Sequence, residues 1–300
     1  MVQAIQLRIA RKDKHDESCA AIMATFDSLP RRVHGRKEIE KLFRDQRQSW
    51  QLLSRTTSSD LIEYLETLHL TAINLTGPGH AQERVRYGWR EPSVFDVAQS
   101  LQKSAYISHR SAAFLHGLAE DEEQQVYVNI EQSPKGNSDG ELSQDGIDRA
   151  FKSKQRQSAM SYTFQRRRIT VLSGKHSDRL GVIQAKAPSG GFVDVTGLER
   201  TLIDLTVRPA YAGGVDHVLE AYRRARAHTS PTALLNTLKR LDYIYPFHQA
   251  VGFYMERAGF EPKDYERFRR LGLKFDFYLC HQIRKRSYDR NWRMYYPKGF

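Results

Sequence analysis

Three hundred residues is about twice a typical single-domain length, so two domains are expected, and 40% apolar with 27% charged residues excludes a disordered chain. Forty-seven Lys and Arg against 35 Asp and Glu leave a formal charge of +12, a surplus that favours an anionic partner such as nucleic acid. Cys19 and Cys280 stand too far apart for a CxxC zinc site or a disulfide scaffold, and no apolar run approaches the roughly 18 residues that span a bilayer.

The periodicity then predicts elements in order. Cys19, Ile22, Met23 and Phe26 fall on one face of a first helix that ends before Pro30. Ile39, Leu42, Phe43, Trp50 and Leu53 continue a stripe through a second helix. Thr57-Ser-Ser-Asp60 has the form of a capping box and starts a third helix with Leu61, Ile62, Leu65 and Leu68 on one face. The period then falls to two. Leu70 to Leu75 reads as a strand, Gly77-Pro-Gly79 as a turn, and Val85, Tyr87 and Trp89 alternate with arginines in a second strand. Three helices followed by a hairpin is the order of a winged helix-turn-helix, and Glu91-Pro92 marks a domain boundary. The expected domains are therefore 1–91 and 92–300.

Beyond the boundary, helices are predicted at 93–103, 108–118, 144–157, 198–207, 215–227, 231–241 and 249–258. Strands are predicted at 126–130, 168–172, 180–185, 192–195 and 274–280. Residues 133–140 read as an exposed, turn-rich loop. The fold class is α+β, an N-terminal winged helix-turn-helix followed by a mixed α/β C-terminal domain.

A winged helix places one helix in the major groove and tracks phosphates with its wing. Arg44, Arg47, Gln48 and Arg55 can reach phosphates or base edges, and Thr57, Ser58 and Ser59 bring hydroxyls to a helix N-terminus. Arg84 and Arg86 share one face of the wing strand, with His80 at its tip. Asp60, Glu63 and Glu66 on the third helix oppose this reading unless they face away from phosphate, which leaves the second helix or the start of the third as the alternative reading element. A helical protein-interaction module with a solvated charged face is the competing reading. A second basic patch comprises Lys152, Lys154 and Arg156 with Arg166, Arg167 and Arg168.

Catalytic patterns are poor. Ser173-Gly-Lys175 lacks the preceding glycine of a phosphate-binding loop. Ser108 and His109 lack a G-x-S-x-G elbow, and His109 and His116 lie seven apart, not the four of a zinc-binding helix. Asp194, Glu199, Asp204 and Asp276 are the acids available to a metal-dependent nuclease, which is the alternative function. No enzyme, metal or cofactor is expected.

Two blocks resemble a known family. Ala105-Tyr-Ile-Ser-His-Arg-Ser-Ala-Ala-Phe-Leu-His-Gly-Leu118 is similar to a serine- and histidine-bearing stretch of the AbiEi antitoxins, and Val195-Thr-Gly-Leu-Glu-Arg-Thr-Leu-Ile-Asp204 to their ERTLiD segment. Leu172 to His176, Arg208 to Gly214, Tyr245 to Gln249 and Tyr296 to Gly299 resemble segments of the larger members. The chain departs from the family in a longer N-terminal part and a third helix that is not basic. The two scattered cysteines fit a reducing compartment, so a cytoplasmic protein is expected, and the resemblance implies a repressor that is also a type IV antitoxin in phage defence. It would autoregulate its operon by binding inverted repeats in double-stranded DNA, two copies per operator. Its functional partner would be a nucleotidyltransferase-like toxin, without a stable complex. Ser108, His109, Ser111, His116, Glu199, Arg200 and Asp204 would then belong to the antitoxin domain.

Overall fold

The computed structural model describes residues 8–11, 13–78, 84–120, 124–134 and 141–300. The chain divides into two units, Met1–Lys103 with Met160–Ile169 and Gln184–Val193, and Ser104–Ala159 with Thr170–Ile183 and Asp194–Phe300. The first unit thus runs past Pro92 and takes in two later segments. Gly79, His80 and most of the 133–140 loop lie outside the described residues. The fold is mixed α and β, with eleven α-helices and three sheets among the described residues. None of these helices is long and apolar enough to cross a membrane.

In the first unit, α1 (His15–Ser28) buries Ile22 and Phe26, two members of its predicted stripe. A short strand, β1 (Val33–His34), leads to α2 (Arg36–Gln46), which buries Ile39 and Phe43. The predicted stripe overran this helix. α2 stops at Gln46, the chain turns at Gln51 with φ 52°, and Trp50 is buried beyond the helix with its indole N–H on Thr25 Oγ1 at 3.0 Å. α3 (Ser58–Glu66) starts at the predicted capping box. Asp60 N donates to Thr57 Oγ1 at 3.1 Å, and Thr57 N donates back to Asp60 Oδ2 at 2.9 Å. β2 (Leu70–Leu75) and β3 (Arg84–Trp89) pair antiparallel, and β3 also pairs with β1, so the sheet order is β1-β3-β2. Phe26 and Trp89, with ring centroids 4.9 Å apart, join the helices to the sheet. α4 (Val94–Ser100) is capped by Ser93 and Asp96.

Chain order continues with β4 (Tyr106–Ile107), α5 (His109–Leu115), β5 (Gln125–Glu131) and α6 (Gln144–Lys152), which is shorter than predicted. β6 (Ser161–Phe164), β7 (Arg167–Gly174), β8 (Val182–Lys186) and β9 (Phe192–Thr196) complete a six-stranded sheet of order β6-β7-β5-β4-β9-β8. β4 is the hinge of its topology, antiparallel to β5 and parallel to β9 through Ile107 and Val195.

A helical layer follows, α7 (Leu198–Val207), α8 (Val215–Ala225), α9 (Pro231–Leu241), α10 (Phe247–Arg257) and α11 (Pro262–Arg269). The last of these was not predicted, because only Phe268 of its eight residues is buried. Tyr222 of α8 and Tyr254 of α10 stack in the core at 5.4 Å. Where a strand was predicted over 274–280, only β10 (Phe277–Tyr278) forms, and it joins β11 (Arg286–Asp289) and β12 (Met294–Pro297) in the order β10-β12-β11. Gly252 of α10 is required by packing. A Cβ there would lie 2.0 Å from the buried ring of Trp292.

Candidate nucleic-acid interface

The connection between α2 and α3, with the helix ends that flank it, carries most of the predicted DNA-binding side chains. Arg44 is exposed on the last turn of α2, Gln48 in the following turn, and Arg55 two residues before the Thr57 cap. Ser58 and Ser59 open α3, where unpaired backbone N–H groups and the helix dipole favour an anion. Ser59 Oγ accepts from Arg36 at 2.9 Å, which ties the start of α3 to the start of α2. Arg47 differs from its neighbours. Its guanidinium donates to the carbonyls of Leu53 (2.8 Å) and Ser54 and lies 5.1 Å from the centre of the Phe43 ring. It holds the connection in shape, so its cation is turned inward.

The acids of α3 have partners that sequence reading missed. Arg8 donates to Asp60 at 3.0 Å and to Glu63 at 2.9 Å. Hydrogen bonds from the Thr57 side chain and backbone, with the Arg8 charge, hold the Asp60 carboxyl below its ordinary value against some burial. Two of the three carboxylates expected to repel phosphate are therefore neutralised. A lone arginine 52 residues away in sequence carries no local signal of that role.

The β2–β3 arginines are placed otherwise than predicted. Arg84 donates to the Leu101 carbonyl at 2.8 Å and stands 5.5 Å over the Tyr162 ring. Arg86 donates through Nε to the Ser100 carbonyl at 2.8 Å. These carbonyls end α4 and have no intrahelical donor, so two cations satisfy them and oppose the negative end of the dipole. Burial and the repulsion of Arg84 lower the Arg86 pKa. Both arginines serve to clamp α4. His80 lies outside the described residues.

The second basic patch is divided, since Lys152, Lys154 and Arg156 belong to the second unit while Arg166, Arg167 and Arg168 belong to the first. Arg166 is exposed at the turn between β6 and β7, where Gln165 and Arg166 both take left-handed φ values of 45° and 66°. Two positive φ values at the centre of a two-residue turn match the twist of the flanking strands, although neither residue is glycine.

The two AbiEi-like blocks pack together in the second unit. His116 Nε2 lies 2.6 Å from the Thr196 carbonyl, and Ser111 Oγ accepts from Tyr127 N at 2.8 Å. Ser108 lies at the start of α5 without capping it, and its hydroxyl is 2.9 Å from His109 Nδ1. His109 takes φ 53° and sits edge-on to Tyr211 at 5.3 Å. Burial pushes its pKa down to about 4. Arg200 and Asp204, four apart on α7, form a buried ion pair of 2.8 Å. Burial acts to lower the Arg200 pKa, but the Asp204 charge outweighs it and keeps the guanidinium protonated. The remaining N–H groups of Arg200 reach Ser177 Oγ (3.2 Å) and the Leu180 carbonyl (2.8 Å).

Glu131, which the sequence did not single out, organises the same region. It accepts from Ser177 N at 2.9 Å, from the Tyr106 hydroxyl at 3.1 Å and from Arg179 N. Lys175, once part of an incomplete phosphate-loop pattern, donates to the Leu241 carbonyl at 2.8 Å and to that of Asp242 at the end of α9.

The four acids of the nuclease alternative stand on separate duties. Asp194 binds Arg179 at 2.8 Å, Glu199 accepts from Ser230 N at 3.0 Å, Asp204 holds Arg200, and Asp276 binds Arg293 at 2.9 Å. Among the described residues, no group of three or more His, Cys, Asp or Glu side chains converges as a metal site would require.

No family model and no curated protein sequence matches the chain. Among solved structures, the RV2827C protein from Mycobacterium tuberculosis is similar over 93% of this chain and 91% of its own, with a TM-score of 0.52 and 11% identity. That likeness is one of fold.

Proposed function

We propose that the chain is a sequence-specific DNA-binding repressor whose first unit is a winged helix-turn-helix. One observation carries the reading. The unit runs helix–strand–helix–helix–strand–strand, with α1, β1, α2, α3, β2 and β3 closing an antiparallel sheet of order β1-β3-β2. That order supports α3 as the helix presented to the major groove. The exposed side chains at its start suit the task. Arg44 and Arg55 neutralise phosphates or reach guanine edges, Gln48 pairs with an adenine edge, and the N–H groups at Ser58 and Ser59 face a phosphate oxygen. Arg8 relieves the repulsion that Asp60 and Glu63 would otherwise exert. Binding is the whole mechanism. Two copies on an inverted repeat double the contacts, and release of counterions from the backbone makes affinity fall steeply with salt.

The antitoxin role rests on the AbiEi-like blocks, which pack as one structural element through His116 and Thr196. The partner would be a nucleotidyltransferase-like toxin countered without a stable complex.

The test is a gel shift with the duplex upstream of the chain's own gene. Arg44→Ala with Arg55→Ala is expected to weaken binding by at least tenfold and to flatten its salt dependence by about two phosphate contacts. Unchanged binding by that double variant overturns the assignment of the interface. Retarding no duplex at low salt overturns the repressor reading itself.

A further inference from the structure

The sheet β10-β12-β11 has two chemically different faces. Phe277, Leu279 and Met294 are buried in the helical core. Side chains alternate along a strand, so the neighbouring positions point the other way. The register sets Tyr278 beside Tyr295 and Tyr295 beside Tyr288, one tyrosine from each strand on the outer face. Their rings form a row, with centroids 5.0 Å apart for Tyr278 and Tyr295 and 4.8 Å for Tyr295 and Tyr288. The Arg286 guanidinium lies 4.4 Å from the centre of the Tyr295 ring. Tyr288, at the outer end, is 40% exposed.

The chain on either side of β11 is basic. Arg284, Lys285 and Arg290 are exposed. Two acids adjoin the row, and both are engaged: Asp276 is bound by Arg293 at 2.9 Å and by the Tyr288 hydroxyl at 2.7 Å, and Asp148 of α6 accepts from the Tyr278 hydroxyl at 3.0 Å. Tyr278 is accounted for by packing, since its ring stacks on Phe151 of α6 at 5.6 Å, but a merely solvated sheet face carries polar side chains where Tyr288 and Tyr295 stand. Flat rings and a stacked guanidinium call for a planar ligand, and the surrounding cations call for an anionic one. An unpaired polynucleotide is both, whereas a duplex keeps its base faces inside its own stack.

We infer that the outer face of the β10-β12-β11 sheet binds an unpaired stretch of nucleic acid. One base stacks on Tyr288 and another on the Arg286–Tyr295 pair, while Arg284, Lys285 and Arg290 meet the flanking phosphates. Every base has a stacking face, so this binding tolerates sequence and is separate from operator reading.

Fluorescence anisotropy of the full chain with short fluorescein-labelled oligo(dT) and oligo(U), at physiological salt, tests the inference. Saturable binding of either oligonucleotide is expected. Tyr288→Ala should weaken it about tenfold, and Arg286→Gln should weaken it and reduce its salt dependence. Tyr288→Phe keeps the ring, loses only the bond to Asp276, and should bind like the parent. Thermal unfolding of the same samples identifies any variant that fails to fold, and Tyr288→Phe against Arg290→Gln then supplies the comparison. The inference is overturned if neither oligonucleotide binds, if Tyr288→Ala binds as well as the parent, if Tyr288→Phe loses as much as Tyr288→Ala, or if a non-cognate duplex competes equally.

Discussion

Two arginines, one in each unit, hold carboxylates at nearly the same distance and do different work. Arg8 lies 3.0 Å from Asp60 and 2.9 Å from Glu63, and the Arg8 and Glu63 side chains are 46% and 47% exposed. Arg200 lies 2.8 Å from Asp204, with the two side chains 5% and 7% exposed. Water screens the first arrangement, so its contribution to stability is small and its main effect is on the charge that α3 presents. The second pair has little water around it, and each remaining N–H must find a protein acceptor, as Ser177 and Leu180 provide. Distance alone does not rank ion pairs. Burial and the bonds around the pair do.

The largest expected effect comes from breaking the buried member. Asp204→Ala leaves the Arg200 cation without its counter-charge and should cost about 3–5 kcal/mol in urea unfolding. Replacing both partners, Arg200→Met with Asp204→Leu, should recover most of that loss. If the double variant is as unstable as the single one, the bonds to Ser177 and Leu180 hold the site, not the pair.

The next effect is a pH dependence in the second unit. His109 is kept neutral by burial, with its pKa at about 4 in the folded chain and near 6.5 in the unfolded one. Its contribution is complete above the unfolded value and is lost as pH falls from there through about 4, on the order of 3 kcal/mol in all. His109→Asn, which tolerates the left-handed backbone, should flatten that slope when unfolding is compared at about pH 7 and about pH 5.

The smallest effect belongs to the exposed pair. Glu63→Gln should change stability by less than about 1 kcal/mol, with the difference shrinking as salt is added. A loss as large as that of Asp204→Ala would erase the contrast between the two arginines.

Much of this was legible in sequence where a pattern repeats over a full element. β2 and α7 have the predicted bounds, because a short apolar strand closed by leucines and a helical face over ten residues leave little choice of ends. The Thr57–Asp60 box was legible as local chemistry, and a spacing of four is the one that lets Arg200 and Asp204 meet across a helical turn. β1 and β4, two residues each, are too short to show a period. The arginines mark the real limit. Arg47, Arg84 and Arg86 bind backbone carbonyls, and a carbonyl is present at every residue, so no side-chain pattern announces the partner. The tyrosine row was hidden for a related reason, since Tyr278, Tyr288 and Tyr295 meet only once three short strands are in register.

The glycine at position 252 sets an order of events during synthesis. α10 is made with an open seat in its flank, and the ring that fills it arrives forty residues later, on Trp292. Until that residue leaves the ribosome, the helical layer carries an unfilled seat at Gly252, beside Tyr265, open to chaperones and to neighbouring chains. A nascent chain halted between α11 and β11 should therefore be protease-sensitive across α8 to α10, and should become resistant once β12 has emerged.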